Sequence, residues 1–186
     1  MPYRFSVDQY HRMIAAGVFG PDDRAELLDG WVIPKMPHNP PHDATIQVAE
    51  DALRQALSTG WRVRVQLAMT TDDSEPEPDL AVVRGHVRSY SQRHARPADI
   101  GVVIEVADST LLQDRSVKGP LYARARVAVY WIINLIDESV EVYSDPTGPS
   151  SAPVFRTQQT YGRGDSVPLV LDSAQIALIP VDDLLP

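Results

Sequence analysis

A chain of 186 residues with 44% hydrophobic content and no low-complexity tract is long enough to bury one core, so a single domain spanning 1–186 is expected. The absence of cysteine excludes disulfides, zinc–thiolate sites and thiol nucleophiles, while the lack of any ~20-residue apolar stretch, and of an apolar core in MPYRFSVDQY, argues against a membrane span or signal peptide and for a cytoplasmic protein. The formal net charge of −8 opposes phosphate binding by the surface as a whole.

In chain order, RFSVDQYHRMIAAG predicts a short helix that could act as a lid, with Ser6 as N-cap, Val7, Tyr10, Met13 and Ile14 at helical spacing, and Gly17 as the stop. RAELLDGWVIPKMP predicts a β-hairpin turning at Asp29-Gly30. Glu26 on its first strand is either a solvated residue or a site acid. After Pro37, Pro40 and Pro41, a helix is expected from His42 to Ser58, carrying Ile46, Val48, Ala49, Leu53, Ala56 and Leu57 as its stripe. His42 in the first turn either caps that helix or faces a site.

WRVRVQLAMTT, from Trp61 to Thr71, alternates apolar and polar residues as a half-buried strand does. The acids Asp72, Asp73, Glu75 and Glu77 read as a solvated turn before a short strand that Pro78 and Asp79 open. RGHVRSYSQRHARPA is a basic loop without an acid. From Arg84 to Trp131 eight basic residues face four acids, a net +4, so the charge is polarised, although a solvated loop would give the same count.

GVVIEVADST then reads as the sheet-centre strand, with Val102, Ile104 and Val106 on one face and Val103 and Glu105 on the other. A buried carboxylate there needs a partner. Asp108, Ser109 or Thr110 caps a helix running to about Ala125, with Leu111, Leu112, Val117, Leu121, Tyr122 and Ala125 inward, and Pro120 bends it one turn back. VAVYWIINL and SVEVYSD form a second hairpin. Short strands near Val154–Thr160 and Ser166–Leu171, and a turn at DDLLP, complete the chain.

Asp79 and Glu105 on neighbouring strands, with Lys118 on the following helix, make a set able to run metal-assisted hydrolysis. Carboxylates hold a hard cation, and an ammonium orients water or meets developing negative charge. Spacing alone is weak evidence for this, since acids on strands and a lysine on a helix are common in α/β domains. Simple ion pairing without metal is the plain alternative.

The series PDLAVV, IEVADST, KGPLYARA, VYWIINL and VEVY resembles the PD-(D/E)xK restriction-endonuclease-like superfamily, and more closely the bacterial Uma-two family of putative endonucleases, over nearly the whole chain. The resemblance implies an α/β fold with a restriction-endonuclease-like core, a central mixed sheet flanked by helices. It implies Pro78-Asp79 as the PD pair, Glu105 as the second acidic ligand and Val106 as a backbone carbonyl ligand. The simplest superfamily pattern puts the lysine two residues after the glutamate, where this chain has Ala107; the family pattern matches Lys118 instead. Glu26 and His42 match further positions of the inner ring.

Arg126 and Val129 stand where many relatives have a glycine and an acid, and Trp31 replaces the usual acid after the hairpin turn. None of these is an inner-ring position. What the resemblance implies is a Mg²⁺-dependent endonuclease, with Mn²⁺ as substitute, acting on DNA; a homodimer would ease cutting of both strands. The competing reading is a catalytically silent nucleic-acid-binding or assembly module on the same fold.

Overall fold

The computed structural model describes residues 2–20 and 22–186. Its centre is a six-stranded sheet in the order β3-β4-β5-β6-β7-β8: Trp61–Val65, Leu80–Arg84, Ile100–Ala107, Val129–Asn134, Ser139–Pro146 and Phe155–Gly162. Only β5 and β6 run parallel; every other neighbour is antiparallel. This is the mixed α/β architecture expected from the sequence. All eight residues of β5 and all six of β6 are buried, as strands covered on both faces must be.

One face packs Val102, Ile104 and Val106 against α2 (Pro40–Ala56) and against a hairpin of β9 (Ser166–Leu171) and β10 (Ala174–Pro180). The other packs Val103 and Ala107 with Leu121, Tyr122 and Tyr130. The period-2 reading of the central strand therefore holds residue by residue. Gly101 is where the β9 hairpin comes closest: a Cβ there would run into Leu171 and Trp61.

The first hairpin, β1 (Ala25–Leu28) and β2 (Trp31–Pro34), turns at Asp29-Gly30 as expected, both at positive φ. Helix α1 (Val7–Ala15) begins at a capping box of Ser6 and Gln9. It seats Val7 and Tyr10 on Leu27 and donates the Tyr10 hydroxyl to the Ala25 carbonyl at 2.9 Å, so it braces the hairpin and does not act as a lid.

Other expectations are corrected. The strand from Trp61 ends at Val65, because Gln66 takes a φ of 48° and turns the chain. Arg64 is buried, with its guanidinium 4.9 Å from the centre of the Tyr90 ring. Asp79 lies just before β4 and not within it. Glu75 is buried and not solvated. Strand β10 was not foreseen; it follows a tight turn at Asp172 and Ser173, both at positive φ.

The helix after β5 is three pieces: α3 (Leu111–Gln113), a π turn (Asp114–Lys118) and α4 (Gly119–Arg124). Pro120 has no N–H to return to Ser116, and the ladder steps to Gly119 N–H donating to the Asp114 carbonyl. The expected disturbance one turn before Pro120 is thus a π turn. Leu112 and Val117, expected to face inward, are both exposed.

Candidate active site

The cleft lies where β4 begins and β5 ends. Antiparallel pairing sets Leu80 opposite Ile104, so Asp79 and Glu105 come to the same end of the sheet. Helix α2 on one face and the π turn on the other both point their ends here. Asn39 caps α2, accepting from the His42 N–H at 3.0 Å, which fixes His42 in the first turn.

Asp79 is buried, accepts the Val106 N–H on Oδ2 at 2.9 Å, and lies 3.3 Å from His42 Nε2. Burial alone would raise its carboxyl, but the hydrogen bond and charge of His42, with Lys118 and the Val106 N–H, hold it below the ordinary aspartate value. Burial works to lower His42, yet Asp79 outweighs it and the imidazole is raised. The other ring nitrogen, Nδ1, is buried without a partner.

Glu105 accepts the Tyr122 hydroxyl on Oε1 at 2.7 Å and meets Lys118 Nζ on Oε2 at 3.0 Å. Burial pushes its carboxyl up to about 8 against the pull of Lys118, with Asp79, Asp114 and Glu26 adding to the rise. Lys118 also stands 3.7 Å from Asp114 Oδ1. Burial works to deprotonate Lys118, but Glu105, Glu26, Asp114 and Asp79 overcome it and keep the amine protonated. Glu26 accepts the Glu77 N–H at 3.1 Å and so ties the first hairpin to the segment that delivers Asp79.

All five side chains singled out in the sequence, Glu26, His42, Asp79, Glu105 and Lys118, therefore line one cleft, with Val106 beside them. Asp114 in the lining and Tyr122 behind Glu105, in the core, join this group unforeseen, as does Asp108 on the wall. The signal for the first two was present: Asp114, Lys118 and Tyr122 recur every four residues, which puts them on one side of a helix. Asp114 is buried, accepts from Thr110 at 2.7 Å, and is raised by its burial. At the mouth, His38 packs at a tilt against His42 with ring centres 4.3 Å apart, and His38, His42 and Asp43 bring one ligand atom each within 4.8 Å of one another.

The basic segment does not gather at this cleft. Its loop joins the other ends of β4 and β5, about 16 Å away along five residues of β4. Several of its charges are already paired. Arg93 binds Asp99 at 2.6 and 3.0 Å, Arg84 meets Asp172, Arg115 meets Glu141, and Arg124 lies 2.9 Å from Asp73.

Residues 7–178 match the Uma2 family, described as "putative restriction endonuclease". Among solved structures, the chain is similar to a "putative nuclease belonging to DUF820" from Anabaena variabilis, with a TM-score of 0.73 and 16% identity over 98% of this chain and 97% of that one. At that identity the likeness is one of fold. No curated protein matches the chain. Among the described residues, no helix is long and apolar enough to cross a membrane.

Proposed function

Starting from a chain that belongs to the Uma2 family of restriction-endonuclease-type proteins, we propose that the cleft is the active site of a Mg²⁺-dependent endonuclease, with Mn²⁺ as substitute, that hydrolyses DNA phosphodiester bonds. One observation carries the reading: two buried carboxylates, Asp79 and Glu105, meet at adjacent strand ends with a lysine ammonium 3.0 Å from the second.

The donor set fits a hard divalent cation. Six acids line the cleft against two lysines, and burial, with Asp79, Asp114 and Glu26 adding to it, holds the Glu105 carboxyl up at about 8 against the pull of Lys118. Asp79, Glu105 and the Val106 carbonyl would hold the ion. When bound, the ion supplies Lewis acidity to a phosphoryl oxygen and acidifies a water.

The chain's own groups do the rest. Lys118, kept protonated between Glu105 and Asp114, orients a water or meets negative charge on the phosphate, and does not serve as a base. His42 keeps Asp79 ionised and in place. Tyr122 fixes one oxygen of Glu105, and Glu26 fixes the backbone two residues before Asp79. The same reading takes the chain as one domain acting in the cytoplasm, with a symmetric homodimer as a direct way to cut both strands.

Supercoiled and linear DNA incubated with the protein and Mg²⁺, Mn²⁺ or EDTA provides the test. Cleavage with either metal, lost in EDTA and in Asp79→Ala, is the expected result. Mn²⁺ binding without cleavage would instead favour the silent binding module, and absence of Mn²⁺ binding would leave Asp79, Glu105 and Lys118 as a buried ion-pair network.

A further inference from the structure

Away from the cleft, a second carboxylate is buried without a lysine or arginine at hand. Glu75 is 4% exposed. Its Oε2 meets His11 Nε2 at 2.7 Å and accepts the Thr70 hydroxyl at 2.7 Å; its Oε1 lies 3.9 Å from His94 Nε2. Among the described residues, its ion-pair partners are these two imidazoles. A buried carboxylate needs polar or charged partners, and a cation held between these groups would supply one.

The three side chains come from three separate parts of the chain. His11 is on α1, Glu75 is in the segment between β3 and β4, and His94 is in the basic loop. Main-chain bonds already draw these parts together: Glu75 N–H donates to the Leu27 carbonyl at 2.7 Å, and Thr70 N–H to the Ala95 carbonyl at 2.8 Å. Both histidine rings reach Glu75 from the solvent side, with side chains 44% and 46% exposed, so an ion has a way in.

We propose that His11, Glu75 and His94 form a binding site for a borderline divalent cation, Zn²⁺ above all, separate from the cleft. Two imidazoles and one carboxylate are a zinc donor set that leaves a fourth position to water. Donors about 2.0–2.1 Å from a tetrahedral ion stand about 3.3 Å apart, and the two nitrogen–oxygen distances bracket that figure. Two imidazoles on such an ion have ring centres about 5 Å apart. Here they are 6.4 Å apart and the three donor atoms do not all lie within 4.8 Å of one another, so the two half-exposed rings must turn inward by more than 1 Å to share one ion. The hard, oxygen-rich cleft favours Mg²⁺ or Mn²⁺, whereas imidazole favours the later first-row ions, which separates the two sites chemically. Bound there, the ion would clamp α1 and the basic loop onto the segment that ends at Asp79.

Co²⁺ and Zn²⁺ titrations test this. The proteins compared are the natural chain, His94→Ala, His11→Ala, and a cleft variant carrying His38→Ala with Asp79→Ala. The natural chain and the cleft variant should both develop the visible absorption of four-coordinate Co²⁺ and be stabilised by Zn²⁺ against heat. His94→Ala and His11→Ala, with circular dichroism unchanged without metal, should lose that absorption and bind Zn²⁺ at least tenfold more weakly. If the natural chain shows no such absorption, if the single histidine variants keep it, or if the cleft variant loses it, the proposal falls. None of these readouts depends on cleavage of DNA.

Discussion

Lys118 and Glu105 form an ion pair at 3.0 Å with both side chains about nine-tenths buried or more, and the pair bridges a π turn and the central strand. Because Pro120 forces the ladder to slip, the lysine that serves Glu105 reaches it from a helix, while the place two residues further along β5 holds the buried Ala107.

Lys118→Ala should leave Mn²⁺ affinity within a few-fold and lower cleavage by about 10²–10³, the usual loss for one electrostatic contact to the reacting group. Lys118→Arg should restore only part, since a planar fork cannot replace a compact ammonium. Stability should respond too. Breaking a buried pair costs about 3–5 kcal/mol when the survivor stays charged. Glu105 can take up a proton, so urea unfolding should show a smaller loss at pH 6 than at pH 9. An Ala variant that cuts at the natural rate would remove Lys118 from the mechanism.

The raised carboxyl of Glu105 sets a pH dependence. Its folded value, about 8, lies above the ordinary glutamate value of 4.5, so its contribution to stability is full below 4.5 and is lost as pH rises through about 8. A cation must displace that proton. Mn²⁺ affinity should therefore rise about tenfold per pH unit below about 8 and level off above it, with one proton released per ion. Calorimetry in buffers of different ionisation enthalpy measures both quantities. Glu105→Gln should bind weakly at every pH, and a flat profile for the natural chain would mean that Glu105 is already ionised.

The arginines of the basic loop should contribute little to DNA binding at the cleft. Arg93 is held by Asp99, Arg84 by Asp172, and the loop sits at the far end of β4. Replacing Arg88 and Arg96 by serine should change the slope of log affinity against log salt by less than about 0.9, the value of one phosphate contact on duplex DNA. A drop near twice that would place the duplex across the loop.

Gly101 tests the packing of the β9 hairpin. A methyl group there meets Trp61 and Leu171, so Gly101→Ala should cost about 1–3 kcal/mol in urea unfolding, as overpacked core positions do. Gly101→Ala with Leu171→Ala should recover part of the loss. An unchanged midpoint for the single variant would mean that the hairpin yields freely.

The five cleft residues came from the family resemblance of the sequence, whereas the order of the elements as far as β9 and the faces of the central strand came from its local pattern. These last features are local or periodic: Val102, Ile104 and Val106 share a face because the strand repeats every two residues, and Ser6 caps α1 through neighbours in the chain. The tertiary structure alone decided which charges meet. Glu75 and Glu77 are near neighbours in one acidic run, yet the first is buried between His11 and His94 while the second pairs with Lys35 at 2.8 Å. Likewise Arg64 looked like the polar side of a strand and is buried against Tyr90. A carboxylate or guanidinium has the same composition whether solvated or enclosed; its neighbours come from distant segments, and only the packing of those segments fixes burial, partner and proton affinity.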